Sequence, residues 1–229
     1  MVLERRRWVT KRIRGLISGV TLVIAHAAFA DVVTYLPLQS GDDERVDASG
    51  ACPREARFDA GTVSGELHLK IGGDTAGCDS EWATSVEFDL SAAPSRAVSA
   101  ATLLIRKTGY SDDSQGFAAI GAFAYPATGS VVTVERDDLT PDTALSIVYP
   151  SAANVDLAFE VTAAIQDLLL EGRTRAGLLL AGVYSEVGYE DWISVGSKSY
   201  VIPPRLVVTF ELPIGIESSS WSASKRLYR

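Results

Sequence analysis

The chain has 229 residues, with 21 lysines and arginines against 29 aspartates and glutamates, so its formal net charge is −8. Such an acidic surface repels phosphate backbones and anionic lipid, which excludes nucleic acid as an expected partner. Two cysteines, two histidines and one methionine also leave little material for sulfur- or imidazole-based metal centres and for histidine-dependent catalysis.

The first thirty residues (1–30) are typical of a secretory signal peptide. A basic segment precedes an apolar run of fifteen residues at 16–30 that ends in Ala28-Phe29-Ala30. This run is shorter than the about 20 residues of a spanning helix, although an uncleaved anchor is the alternative. We expect cleavage before Asp31, no membrane span afterwards, and a secreted protein that is extracellular or periplasmic. Six basic residues and one acidic residue leave with the signal, so 15 and 28 remain and the net charge becomes −13.

The mature chain begins with short β-favouring runs. VVTYLPL at 32–38 is the first predicted strand, and a polar, turn-rich segment at 39–59 follows it. In GELHLKIGG the residues Leu67, Leu69 and Ile71 alternate with polar residues, which predicts a half-buried strand. Further strands are predicted at 85–90, 101–109, 117–126, 131–136 and 144–150.

The region from Asp156 to Leu212 contains the one predicted helix. After the strand DLAFEV, the residues Val161, Ile165, Leu168 and Leu169 form an apolar stripe with helical spacing, and Gly172 is placed to end the helix. A predicted strand resumes at 176–183; DWISVGSKS at 191–199 follows, and after the Pro203-Pro204 pair the strand RLVVTFEL at 205–212 closes the domain. Many short strands with one short helix predict an all-β jelly-roll sandwich as a single domain over 31–212, followed by a tail at 213–229.

Both cysteines belong to the exported part of the chain. Cys52 and Cys78 are an even pair in an oxidising compartment, which predicts one structural disulfide. The bridge closes a loop of about 27 residues, for which chain entropy gives a stabilisation of about 3 kcal/mol.

Short motifs in this chain follow the order of a known family. They are Phe88-Asp89-Leu90 with Pro94, Ser99-Ala100-Ala101-Thr102-Leu103, Glu160-Val161-Thr162, Gly177-Leu178, Ser197-Lys198 and Pro204-Arg205-Leu206. This order resembles the DNRLRE-type domain over most of 31–212, a family of secreted jelly-roll modules that overlaps carbohydrate-binding module family 96. The chain departs from the family pattern at Glu160, usually aspartate, at Leu168 or Leu169, often tryptophan, and at Ser199, usually glutamate. The resemblance implies glycan binding, with alginate-like polysaccharides for some members, and no catalytic residues.

Aromatic side chains are the residues that a sugar-binding face needs, because pyranose C–H groups stack on flat rings. The candidates stand beside polar loops: Trp82, Tyr110, Tyr184, Tyr189 and Trp192. The alternative for Trp192 and Tyr184 is packing in the core at strand ends.

Acidic runs supply oxygen ligands of the kind that calcium prefers. Asp42, Asp43 and Asp47 are the candidate ligands of a structural calcium ion, together with Glu44; Asp112 and Asp113 form a second run. The alternative is an ordinary acidic surface, because neither run matches an EF-hand. Beyond that ion we expect no cofactor.

Seven basic residues are candidates for a patch that would bind uronate carboxylates, with ordinary surface charge as the alternative: Lys70, Arg106, Lys107, Arg173, Arg175, Lys198 and Arg205. His68, the one histidine of the mature chain, is predicted to face solvent, and no G-x-S-x-G, H-E-x-x-H or P-loop motif occurs. We therefore expect no enzyme. A pair of carboxylates as in a glycosidase is the alternative.

Three functional hypotheses follow, in order of preference. The first is non-catalytic binding of an extracellular or cell-wall polysaccharide. The second is a structural or adhesive surface protein that associates with itself or with other surface proteins, with Trp221 and Tyr228 of the tail as a docking segment. The third is a glycan lyase or hydrolase.

Overall fold

The computed structural model describes residues 30–47, 57–74, 79–110, 119–149, 155–183 and 192–212. Its strands are β1 Asp31–Tyr35, β2 Pro37–Asp47, β3 Arg57–Ala60, β4 His68–Asp74, β5 Asp79–Asp89, β6 Val98–Tyr110, β7 Ile120–Tyr125, β8 Val132–Glu135, β9 Ser146–Val148, β10 Asp156–Glu160, β11 Arg175–Gly182, β12 Trp192–Gly196 and β13 Arg205–Phe210. One helix, α1, spans Thr162–Leu170, and a 3₁₀ turn spans Arg136–Asp138. The predicted all-β class is confirmed.

Eleven strands form one antiparallel network in the order β1-β13-β6-β12-β4-β5-β11-β7-β9, with β10 on β6 and β2 on β5. Two long strands, β5 and β6, connect its parts. One end of β6 pairs with β13 and β10 while its other end pairs with β12. Likewise β5 pairs with β11 over one half and with β4 over the other.

The main core lies between the two layers of this network. Its side chains come from β6, β10 and β13 on one side and from β4, β5, β7 and β11 on the other. Phe88, Leu103, Phe159 and Phe210 are each 0% exposed. Burial of about 25 cal/mol per Å² of apolar surface makes this core the chief favourable contribution to folding. The described part of the chain is therefore a β-sandwich.

A second core lies on the outer side of β5, β11 and β7. The separate two-stranded ribbon of β3 and β8 covers that side, and Phe58, Leu139 and Leu179 are buried beneath it. Every residue of β5 from Glu81 to Phe88 is consequently buried, on both faces of the strand. The alternation of the sequence did not predict this third layer.

Helix α1 follows the prediction from its apolar stripe. Val161 and Ile165 are buried in the main core, and Leu168 and Leu169 pack against it partly buried. Gly172 ends the helix with φ of 72°, a left-handed conformation that glycine adopts without strain.

The polar segment at 39–59 differs from the prediction of turns. Residues Pro37–Asp47 form β2, which pairs with β5, and Arg57–Ala60 form β3. Backbone hydrogen bonds to a long neighbouring strand supply the stability that the polar side chains do not. The alternation around β4 is confirmed for Leu69 and Ile71, whereas Leu67 precedes the strand and is 52% exposed.

Several predictions concern residues outside the described ranges. They are the signal peptide, the disulfide between Cys52 and Cys78, the second acidic run at Asp112 and Asp113, and the tail at 213–229. In the described ranges, none of the helical structure has the length and apolar character needed to cross a membrane.

Candidate functional site

Three of the five candidate aromatic residues belong to neighbouring strands. Trp192 lies directly opposite Gly72, and Gly72 lies directly opposite Trp82, so the three occupy one row across β12, β4 and β5. Tyr110 ends β6 opposite Ile193, one position from that row. Tyr184 and Tyr189, and the side chains of Tyr110 and Trp192, lie outside the described part of the structure.

The ring of Trp82 is largely buried, at 8% exposed. The Lys70 Nζ lies 4.4 Å from its ring centroid, a cation–π contact. Lys70 itself is half-buried and stands opposite Ser194 of β12. Because Lys70 covers the ring, a sugar would stack fully on Trp82 only after the lysine side chain moves.

The outer face of β12 and its neighbours is made of small residues. Directly opposite residues of antiparallel strands project from the same face. The pairs Gly109–Ser194, Ser194–Lys70 and Gly196–His68 therefore place two glycines and a serine on the side away from buried Ile193 and Val195. We call this surface the glycine–serine face: Gly72, Gly109, Ser194 and Gly196, with His68, Lys70, Trp82 and Tyr200 around them.

Tyr200 and His68 form an aromatic pair at one end of this face. Their ring centroids are 5.2 Å apart at an interplanar angle of 56°. The His68 Nδ1 lies 2.8 Å from the Thr108 Oγ1, and the side chain is exposed, which confirms the prediction that it faces solvent. The Tyr200 ring lies against Gly196, where an added Cβ would come within 2.7 Å of the ring.

The turn that carries Tyr200 is held by several hydrogen bonds. The Tyr200 N–H donates to the Ser197 carbonyl at 3.1 Å, and the Ser197 N–H donates to the Leu67 carbonyl at 3.0 Å. The Lys198 N–H donates to the Ser40 Oγ at 2.8 Å. Ser197 is fully buried. The sequence interpretation did not select Tyr200. The pattern that could have indicated it is an aromatic residue directly after the polar turn Ser197–Ser199, which follows a strand that ends in glycine.

The acidic candidates lie in a strand rather than in a loop. Asp42 accepts a hydrogen bond from the Lys70 N–H on its Oδ2 at 2.9 Å, so it connects β2 to β4. The backbone of Asp43 and Asp47 continues β2, and their side chains are outside the described part. In the described residues no three His, Cys, Asp or Glu side chains are placed to hold a metal ion. The calcium ion stays a prediction.

The basic candidates do not form one patch. Asp156 pairs with the Arg106 Nε at 2.7 Å and the Arg205 Nη2 at 2.5 Å. Lys107 is fully buried, and burial lowers the pKa of its amine. The remaining ones contact carboxylates or a carbonyl elsewhere: Arg173 with Glu171, Arg175 with Glu87, and Lys198 with the Leu38 carbonyl. Among the seven, Lys70 is the one described at the glycine–serine face.

Glu87 is a buried carboxylate that the sequence interpretation placed in an ordinary strand. It is 0% exposed beneath the ribbon of β3 and β8. Burial raises its pKa, an effect that the Tyr125 hydroxyl, the Arg175 guanidinium and the Gln39 amide oppose. The Tyr125 hydroxyl donates to the Glu87 Oε1 at 3.2 Å, and burial raises the pKa of that hydroxyl too. The carboxylate lies on the opposite side of β5 from the main core, so it serves the packing of the third layer.

No protein-family model matches the chain, and no curated protein matches it.

Proposed function

We propose that the protein is a secreted, non-catalytic jelly-roll module that binds an extracellular polysaccharide on the glycine–serine face. One observation carries the proposal. Two aromatic groups, the His68–Tyr200 pair and the Lys70–Trp82 pair, flank a sheet surface on which Gly109, Ser194 and Gly196 are the small residues.

The shape of this face suits a sugar chain. Small residues at Gly109 and Ser194 let a pyranose ring approach the sheet closely beside the Tyr200 ring, which covers Gly196. The Tyr200 ring offers a flat surface for C–H stacking, and the Ser194 hydroxyl and the His68 Nε2 offer hydrogen bonds to sugar hydroxyls. Trp192 and Tyr110 belong to strand ends at or beside the same row, and we propose them, together with Tyr184 and Tyr189, as further contacts.

Lys70 favours an acidic sugar over a neutral one. A uronate carboxylate placed near the Trp82 ring would attract the ammonium group of Lys70 and draw it from the ring, which then becomes available for stacking. This agrees with the alginate-like ligands that the resemblance to the DNRLRE-type domain implies. Binding of this kind uses stacking, hydrogen bonds and one ion pair, with no covalent step.

The test is affinity electrophoresis of the mature protein in gels containing neutral or uronate polysaccharides. Retardation by at least one polysaccharide is expected. Y200A should weaken the interaction about tenfold, because one stacking contact contributes about 0.5–1.5 kcal/mol beyond its buried area. Y149A is the matched control, since Tyr149 is 72% exposed and lies beyond β9. It should bind like the wild-type protein.

Two results would contradict the proposal. If no gel retards the protein, the proposal of glycan binding is wrong. If Y149A and Y200A weaken binding equally, the glycan does not bind at the glycine–serine face. Reducing ends or unsaturated uronates that appear during incubation would instead show an enzyme.

A second candidate function, self-association or docking of surface proteins, is favoured by exposed aliphatic side chains at one end of the sandwich. Leu38, Val63, Leu67 and Val201 are 41%, 64%, 52% and 84% exposed. The hydrogen bonds from Ser64 to Ser40 and from Ser197 to Leu67 bring their segments together. Sedimentation of the mature protein tests this function. A monomer at all concentrations would exclude self-association.

A further inference from the structure

The turn after β3, residues 61–62, lies directly on the Glu87 carboxylate. A Cβ added at Gly61 would lie 3.1 Å from the Glu87 Oε1. The Gly61 N–H donates to the Ser85 Oγ at 3.0 Å, and the Gln39 Nε2 donates to the Gly61 carbonyl at 3.1 Å. We call residues 61–62 the Gly61 turn. It attaches one end of the ribbon of β3 and β8 to β5 and β2.

The Glu87 carboxylate is buried with one of its oxygens unsatisfied. Its Oε1 accepts a hydrogen bond from the Tyr125 hydroxyl at 3.2 Å. Its Oε2 accepts no hydrogen bond from the part of the chain that the structure describes, and the Arg175 Nη1 lies 3.8 Å from it. Burying an ionised carboxylate is costly unless donors bind each of its oxygens. The site therefore suits the neutral carboxyl group better than the charged one.

The nearest cation does not compensate fully for ionisation of Glu87. Arg175 of β11 is 43% exposed, so water also solvates its guanidinium. It stands directly opposite Asp89, which is on the same face of β5 as Glu87. One guanidinium therefore faces two carboxylates when Glu87 is ionised, and one negative charge is left over.

The other described elements that pack against Glu87 bring no further charge to it. From β2 and β7 come Gln39 and the Tyr125 hydroxyl, which are uncharged at neutral pH. Farther along the same face of β5, Glu81 is bound by Arg136. The charged residues of the ribbon strands are exposed on its outer face: Arg57, Asp59 and Glu135.

The ribbon itself is held by few contacts. It pairs with no strand of the described eleven-stranded network, so side chains and a few hydrogen bonds hold it in place. An open cavity of about 440 Å³ lies between β8 and β7, with Phe123, Leu139 and Leu179 in its lining. Segments with few buried contacts open locally at a lower free energy than the core of a domain.

We infer that Glu87 and the Gly61 turn form a pH-sensitive latch for the ribbon: the neutral carboxyl group keeps the turn closed, and its ionisation releases the turn. Burial raises the pKa of Glu87 in the closed form. Opening admits water to the carboxyl group and returns its pKa toward the ordinary value. Closure is therefore fully favoured below the ordinary pKa, and this preference is lost as the pH rises through the pKa of the closed form.

The experiment is hydrogen–deuterium exchange of the mature protein between about pH 4.5 and about pH 8, corrected for the intrinsic exchange rate. Protection of residues 57–62 and 130–135 should fall about fivefold as the pH rises, which is the equilibrium effect of one net hydrogen bond. Low concentrations of urea should leave this exchange unchanged, because opening of a turn exposes little surface. The same urea should speed the exchange of residues 101–105 in the main core.

Two variants and one control assign the effect to Glu87. E87Q should keep the low-pH protection of the ribbon at every pH, because the amide does not ionise. R175Q leaves the buried carboxylate in place and should move the fall in protection to higher pH, because it removes the cation that lowers the Glu87 pKa. E135Q is the matched control, since Glu135 is 56% exposed in the ribbon. It should follow the wild-type protein.

Three results would overturn the inference. The first is protection of the ribbon that does not depend on pH in the wild-type protein. The second is an E87Q variant that keeps the pH dependence. The third is equal protection and equal urea dependence of the ribbon and the main core, because the ribbon would then open only when the whole domain unfolds. The glycan gels test a different face, so their outcome does not affect this one.

Discussion

Replacing Gly61 by alanine should destabilise the protein more than the same change at Gly172. Both glycines have left-handed backbone, with φ of 81° and 72°. A Cβ at Gly61 would lie 2.9 Å from the Ser130 carbonyl oxygen and 3.1 Å from the Glu87 Oε1, whereas a Cβ at Gly172 would meet nothing within 4 Å. Both variants place an L-residue in a left-handed backbone conformation, and only G61A also brings its Cβ into close contact with neighbouring atoms.

The magnitudes follow from these two contributions. An L-residue in the left-handed region costs about 1–2 kcal/mol, which is the whole expected effect of G172A. Forcing a methyl group into a packed site costs about 1–3 kcal/mol more, so we expect about 2–5 kcal/mol for G61A. The Ser130 oxygen is backbone and the Glu87 carboxylate is buried, so neither yields easily.

Urea denaturation followed by tryptophan fluorescence measures both variants against the wild-type protein. A difference of 1 kcal/mol corresponds to about 2–4 °C in Tm at this chain length, so thermal scans supply an independent value. If G61A is no less stable than G172A, the turn after β3 is not packed against β5. The packing of the β3–β8 ribbon on β5 would then be contradicted.

Three further predictions, made with four substitutions, test the core, an ion pair and a titrating group. I165A should lower the unfolding free energy by about 2–4 kcal/mol, because Ile165 is 1% exposed. L170A should change it by no more than about 0.5 kcal/mol, because Leu170 is 85% exposed. Equal effects of the two substitutions would contradict the orientation of α1. D156A should lower the unfolding free energy by about 1–2 kcal/mol in urea denaturation, because the partly buried Asp156 carboxylate pairs with both Arg106 and Arg205 of neighbouring strands. If this loss is unchanged in molar salt, the interaction is not ionic. Burial raises the pKa of Glu87, so the stability contributed by its neutral form is fully present below about pH 4.3 and is lost as the pH rises through the folded pKa. The stability of E87Q relative to wild type should therefore increase from about pH 4 to about pH 8, with the Tyr125 hydroxyl still donating to the amide oxygen, and parallel pH profiles would refute this.

The candidate site was only partly predictable. Trp82, Tyr110 and Trp192 were selected because aromatic residues stood beside polar loops, and the register places them at neighbouring positions. Trp82 is nevertheless mostly buried, because Lys70 and the surrounding strands cover it. Tyr200 was missed, since its place beside His68 depends on a turn that long-range hydrogen bonds hold.

Local pattern alone determined the all-β class, most of the strands and the helix. The stripe from Val161 to Leu169 and the stop at Gly172 are properties of a single segment, and a helix with that pattern buries the same face wherever it packs. The strand at 176–183 is apolar throughout, as a strand buried on both faces requires.

Tertiary structure decided the rest, because it depends on which distant segments meet. The polar residues of β2 form a strand only because β5 is beside them, and Glu87 is buried only because β3 and β8 cover it. In the same way, four small residues from three strands become one face only after those strands pair in register. Pairing energy and burial arise between segments far apart in the chain, so no window of neighbouring residues contains them.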